Sequence, residues 1–210
     1  MRKIRRYLNK TDEERIRHAV ADAESHTRGE IVPMIVRASD PYAHLHVTGG
    51  ITLAITAFVI GVTFFPKIQP SWFLIFEIIG YASGSFLFRV DSIKHLFLSN
   101  REMETKVSSR ALHAFYEHEL HKTKESTGIL IFASLLERRV QILADRGIHE
   151  KVGDREWKKA ADLLTRALEE RRTGDGFCQA VTVCAEVLAQ HFPAGSENSN
   201  ELPNQPIESE

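Results

Sequence analysis

Two apolar runs in the middle of the chain restrict most strongly what it can fold into. Thr48 to Phe65, TGGITLAITAFVIGVTFF, contains no charged residue, and Ile68 to Phe88, IQPSWFLIFEIIGYASGSFLF, contains one, Glu77. As helices of about 18 to 21 residues they reach about 27 to 31 Å, close to the hydrocarbon thickness of a bilayer. Neither run shows the polar stripe of a soluble amphipathic helix. The competing reading is a buried hairpin in a soluble core. The rest of the chain, 47 residues before and 122 after, is a small body with which to cover two helices that are apolar all round. The pattern therefore predicts a two-helix transmembrane hairpin, 48–65 and 68–88, with a short proline-punctuated turn, PKIQP. Trp72 lies near one end, where interfacial aromatic residues collect.

The flanking charges predict an orientation. The turn offers Lys67, whereas the other side offers Arg37 before the hairpin and Arg89, Lys94 and Arg101 after it. The positive-inside rule then puts both termini in the cytoplasm and the tight turn outside. Glu77 becomes an intramembrane carboxylate, a residue type that draws attention to proton or ion pathways or to self-association. The basic start, MRKIRRYLNK, is followed at once by the charged TDEERIRHAVADAES, so a cleaved signal peptide is not expected. Its cations suit anionic headgroups, at about 1 kcal/mol each near the surface. A net charge of −1 gives no overall attraction to nucleic acid. Cys178 and Cys184 are the only cysteines and form no metal or redox spacing, so two small thiols in a reducing compartment are expected.

The polar halves read as parts of one domain. Thr11 and Glu14 have capping-box spacing ahead of a helical face made by Ile16, Ala19, Val20 and Ala23. TRGEIVPMIVRAS follows as a β-type run, with Pro33 pointing to an edge or a bulge. After the hairpin comes one long helical stretch, then two β-type runs, Gly128 to Ser134 and Arg139 to Ala144, separated by four residues as in an antiparallel hairpin. Two further helical patterns are traced by Trp157 to Leu168 and by Phe177 to Leu188. One strand before the hairpin cannot form a sheet alone. The expected organisation is a basic segment (1–10), a discontinuous α/β domain (11–47 and 120–192), the inserted hairpin (48–88), a connecting helix (89–122) and an acidic, disordered tail (193–210).

Assembled in this order, TRGEIVPMIV, STGILIFASLLERRVQILADRGI, GDREW and GDGF resemble the TPM domain family, and HFP with NELPN resembles its bacterial membrane-embedded branch. The resemblance covers roughly residues 10–40 and 120–195. It implies a small α/β/α sandwich, TPM-like, into which the transmembrane hairpin is inserted. It also implies a choice of activities, because the family includes acid phosphatases, divalent-cation binders and proteins that assist membrane complexes. If the loops converge as in that fold, Asp145, Glu150, Asp154 and Asp175 share one end of the sheet, and clustered carboxylates suit calcium or magnesium. A metal there polarises a phosphoryl oxygen and activates water, with Arg146 holding a phosphate oxygen. Local roles compete with each of these. Asp154 and Asp175 are placed to cap helices, and Arg146 to pair with Glu150.

No P-loop, Cys-x5-Arg loop or D-x-D-x-[TV] motif supports a phosphatase independently. His118-Glu119-Leu120-His121 falls one residue short of H-E-x-x-H. The leading expectation is thus an accessory module at the inner membrane, with a divalent-cation site and with the lipid bilayer, other membrane proteins or further copies of itself as partners. The alternatives are a metal-dependent, acid-phosphatase-like hydrolase and a small oligomeric transport subunit using Glu77.

Overall fold

The structure, a computed structural model, describes residues 8–67, 69–194 and 201–209, without the side chain of Asp154. Most of the basic start and the middle of the tail thus lie outside the described residues. The chain divides into two compact units, residues 1–39 with 101–210, and residues 40–100.

The larger unit is built on a four-stranded mixed sheet. Its elements are α1 (Lys10–Ser25), β1 (Glu30–Val36), α5 (Asn100–Glu117, all but its first residue), a single 3-10 turn (Leu120–Lys122), β2 (Gly128–Ser134), β3 (Arg139–Ala144), α6 (Arg146–His149), α7 (Asp154–Glu169), α8 (Thr173–His191) and β4 (Ile207–Ser209). The strand order is β3-β2-β1-β4. β1 and β2 run parallel with Glu30 opposite Gly128, β2 and β3 antiparallel with Ile129 opposite Ala144, and β4 parallel to β1. β2 and β3 occupy the two runs that the sequence predicts, with four residues between them.

Both central strands are buried throughout, as a sheet covered on two faces requires. Alternation sorts their side chains. Ile31, Ile35, Ile129, Ile131 and Ala133 pack with Ile16 and Val20 of α1, Trp157 and Leu164 of α7, and Phe177 and Val181 of α8. Val32, Met34, Val36, Leu130 and Phe132 pack with Val107, Ala111, Ala114 and Phe115 of α5. Phe132 has no solvent exposure and is central to the second cluster. Phe132→Ala is expected to cost about 3–5 kcal/mol, read as a lower denaturation midpoint at an unchanged m-value.

The outer edge of β1 shows why Pro33 is tolerated there. Glu30 donates its N–H to Thr127 on the β2 side, and Arg37 donates to Ser209 on the β4 side, so odd-numbered residues face outward. On that side the Ile31 N–H is bound by the Glu24 carboxylate at 2.9 Å, Pro33 has no N–H to satisfy, and pairing with β4 begins at Met34. β1 is therefore an interior strand, and Pro33 sits where its outward edge has no strand beside it.

The smaller unit holds α2 (Ala43–Phe64), α3 (Pro70–Leu87) and α4 (Asp91–Phe97). α2 and α3 pack as a helical hairpin whose contact face is lined by small residues. A Cβ on Gly84 would lie 2.4 Å from the Gly49 carbonyl oxygen, so the two backbones meet directly. The Ser85 hydroxyl donates to the His46 carbonyl at 3.0 Å, and the His46 Nδ1 lies 3.2 Å from the Ser85 carbonyl. α2 is long and apolar enough to cross a membrane.

Four expectations need correction. α2 begins at Ala43, five residues before the charge-free run, because AHLHV continues the helix without a breaker. The stretch 89–122 is not one helix. α3 ends at Leu87, α4 turns away by 94°, and α5 starts only at Asn100 and ends at Glu117, after which Glu119 takes a left-handed conformation, φ 59°. The tail is not disordered over its described part. Leu202 and Ile207 pack against the second core cluster, and Ile207–Ser209 adds the fourth strand. The first helix is capped by Asn9 with Asp12 rather than by Thr11 with Glu14, since Asn9 accepts the Asp12 N–H at 2.9 Å.

Candidate functional site

The acidic residues singled out by the sequence are engaged one by one. Asp145 follows β3 and caps α6, its Oδ1 accepting the Arg146 N–H at 2.7 Å, while its Oδ2 is shielded from solvent and meets no donor among the described residues. Arg146 reaches Glu150, one turn on, at 2.9 Å, with both side chains largely in solvent. Such a pair contributes little. Asp175 does not cap α8. It lies in the first turn, where Arg15 of α1 holds it at 2.6 Å, and the cap position belongs to Arg172. Asp154 is the first residue of α7, behind Gly153. Among the described residues no group of three or more His, Cys, Asp or Glu is arranged to hold a metal ion. The expected convergence of Asp145, Glu150 and Asp175 is therefore not found, because each has a nearer partner.

Gly147 is explained by packing. A Cβ there would lie 2.7 Å from the carbonyl oxygens of Glu125 and Ser126, so the loop before β2 closes over it. Asp145→Ala is expected to lower stability by about 1 kcal/mol through the lost cap, measured by urea unfolding. A calcium-induced rise in melting temperature that disappears in that variant would instead restore a cation site at this loop.

Two acidic residues to which no sequence pattern assigns a role are the most perturbed carboxyls of the larger unit. Glu24, in the last turn of α1, is buried and accepts the Ile31 N–H and, at 2.5 Å, the Asn204 side-chain amide. Glu30, at the start of β1, is also buried, and its two oxygens accept the N–H groups of Glu201 and Leu202, each at 3.2 Å. Burial pushes the Glu24 carboxyl up to about 8, the Ile31 hydrogen bond opposes this, the nearby Glu30 charge adds to it, and Asn204 opposes it. Burial also raises Glu30, against its two backbone donors. The signal for this pair was present as an acid at the C-terminal end of a helix, where the macrodipole disfavours it, and another opening an apolar strand. Chemically the pair is a clamp. It binds the chain between Glu201 and Asn204 and so sets up the β4 pairing.

The sheet order, the two covering helical layers and the β3–α6 turn can be set beside known families. Residues 90–187 match the TPM domain. A TPM domain is thus found over residues 90–187. The matched stretch begins in the smaller unit and ends within α8, so α1 and β1, which complete the larger unit's sheet and one of its layers, lie before it. The NMR structure of the BA42 protein from the psychrophilic bacterium Bizionia argentinensis is similar in fold, with a TM-score of 0.63 at 20% identity over 100% of both chains. No curated protein sequence matches the chain. In the hairpin outside the TPM match, Trp72 is exposed in the first turn of α3 and Glu77 lies half-buried two turns along the same helix.

Proposed function

We propose that this chain is a membrane-anchored TPM domain that works as an accessory module on neighbouring membrane proteins, with the α2–α3 hairpin as its anchor. The observation that carries the reading is the exposure of α2. Only 17% of its most apolar window is buried, whereas a core helix of a soluble protein is mostly covered. Val47, Ile55, Val59 and Val62 of α2 and Leu74, Ile78 and Ile79 of α3 all face outward. An apolar surface of that extent exceeds what a soluble monomer leaves in water.

Two features of the hairpin support the same reading. Its helices meet through Gly49, Gly50, Gly80 and Gly84, and the small-residue contact suits association in lipid, where hydrophobic exclusion does not drive helices together. Its polar interhelical bonds, between His46 and Ser85, sit at the base rather than along the span. α2 is about 33 Å long and α3 about 27 Å, so both cross with little tilt. Arg37, Arg89, Lys94 and Arg101 flank the base and Lys67 the turn, which orients the TPM domain to the cytoplasm.

Protease treatment of sealed inverted vesicles tests this orientation. The TPM domain is expected to be digested while the segment around Lys67 is protected. Digestion confined to the Lys67 turn would overturn the orientation.

A further inference from the structure

We infer that α4 is an interfacial helix that lies in the plane of the bilayer surface at the base of the hairpin, with Leu96 and Phe97 in the acyl boundary and Arg89 among anionic headgroups. The inference rests on the anchor reading and adds a second lipid contact of a different kind. Three observations carry it.

The first is direction. α4 leaves α3 at 94° after a three-residue break. If α3 runs along the bilayer normal, α4 runs along the surface. At about 27 Å, α3 is slightly shorter than a typical hydrocarbon core, so its end reaches the boundary and not bulk water.

The second is that the bend is fixed. The buried Lys94 Nζ donates to the Pro41 carbonyl at 2.8 Å, which ties α4 to the chain entering α2. The Phe97 ring meets Phe88 edge-on, centroids 5.0 Å apart, and Phe88 itself fills the space above Gly49. A straight continuation of α3 would lose both contacts.

The third is the position of the apolar surface. Phe97 touches Phe88 and so lies on the hairpin side of α4, yet it remains 61% exposed, and its neighbour Leu96 is 79% exposed. Phe86, Leu87 and Val90, also exposed, add apolar surface where the span ends. Arg89, exposed at the break, supplies the cationic flank typical of helices lying on anionic membranes. A bilayer covers these residues and the exposed face of α2 with one surface, which a globular partner reaching only α4 would not.

The test uses the full chain in vesicles of phosphatidylcholine and phosphatidylglycerol. Phe97→Trp or, separately, Leu96→Trp is introduced with Trp72→Phe and Trp157→Phe, so that one indole reports. The expected result is quenching by lipids brominated just below the headgroup that exceeds quenching by lipids brominated near the bilayer centre, with little quenching by aqueous acrylamide. Stronger quenching from the bilayer centre would overturn the interfacial position in favour of a broken span. Acrylamide quenching without lipid quenching would put α4 in water and also overturn it. A parallel chain that keeps Trp72 alone separates the two readings. If Trp72 is quenched by brominated lipid and the introduced indole is not, the anchor stands and α4 is off the membrane. If neither is quenched, both readings fail.

Discussion

Gly84→Leu is expected to break the hairpin, lowering its stability by about 3 kcal/mol, at the top of the usual overpacking range. The cost is large because the obstruction is backbone. A Cβ at this position would lie 2.4 Å from the Gly49 carbonyl oxygen and 2.9 Å from the Gly50 Cα, and neither can rotate aside. The helices must separate, and with them go the Ser85–His46 hydrogen bonds one residue away. Thermal unfolding in detergent micelles reads the effect. Ala82→Leu, at an exposed position of the same helix, is the control and should change little. Equal melting of the two variants would mean that the glycine contact does not hold α2 to α3.

Glu24→Gln is expected to remove a loss of stability that the natural chain suffers on the alkaline side. The Glu24 carboxyl is raised from its ordinary 4.5 to about 8 by burial, so the folded state holds the proton more tightly than the unfolded state. Its stabilisation is fully present below about pH 4.5 and is lost as pH rises through about 8. Ionisation there adds a second charge beside Glu30 under the Glu201–Asn204 segment. Glutamine stays neutral, keeps an oxygen for the Ile31 N–H and faces an Asn204 amide able to turn its own oxygen. The variant should therefore match the natural chain near pH 5 and exceed it near pH 9 by an amount on the order of a few kcal/mol. Parallel stability curves from pH 5 to pH 9 would contradict the account. Hydrogen exchange of the Glu201 and Leu202 amides, faster at high pH only in the natural chain, gives an independent readout.

Residues whose pattern is repeated over many positions were legible from the sequence. β2 and β3 show as apolar β-type runs, and the four residues between them specify their antiparallel pairing. The charge-free run announces α2. What was not legible depends on single contacts. The break after Leu87 comes without proline, and the bend is held by Lys94 on Pro41 and Phe97 on Phe88, which no periodicity displays. β4 has three residues, Ile-Glu-Ser, too few for alternation, and its pairing is prepared by glutamates about 170 residues away in sequence. The same cause misled the reading of the site. Asp145, Glu150 and Asp175 look like a set in the sequence, but the Arg146 N–H, the Arg146 guanidinium and Arg15 each take one. The buried acids Glu24 and Glu30 lie inside a helical and a strand pattern that do not display their burial.

The central claim is that the hairpin anchors a TPM domain in a membrane, and alkaline carbonate extraction of membranes from cells making the full chain tests it most directly. Carbonate strips peripheral proteins and leaves spanning helices in place. The account predicts that the chain stays with the membrane pellet, and that Ile55→Arg with Ile78→Arg, each costing about 3 kcal/mol at the middle of a span, moves it to the supernatant. Release of the unaltered chain into the supernatant as a monodisperse soluble protein would contradict the account.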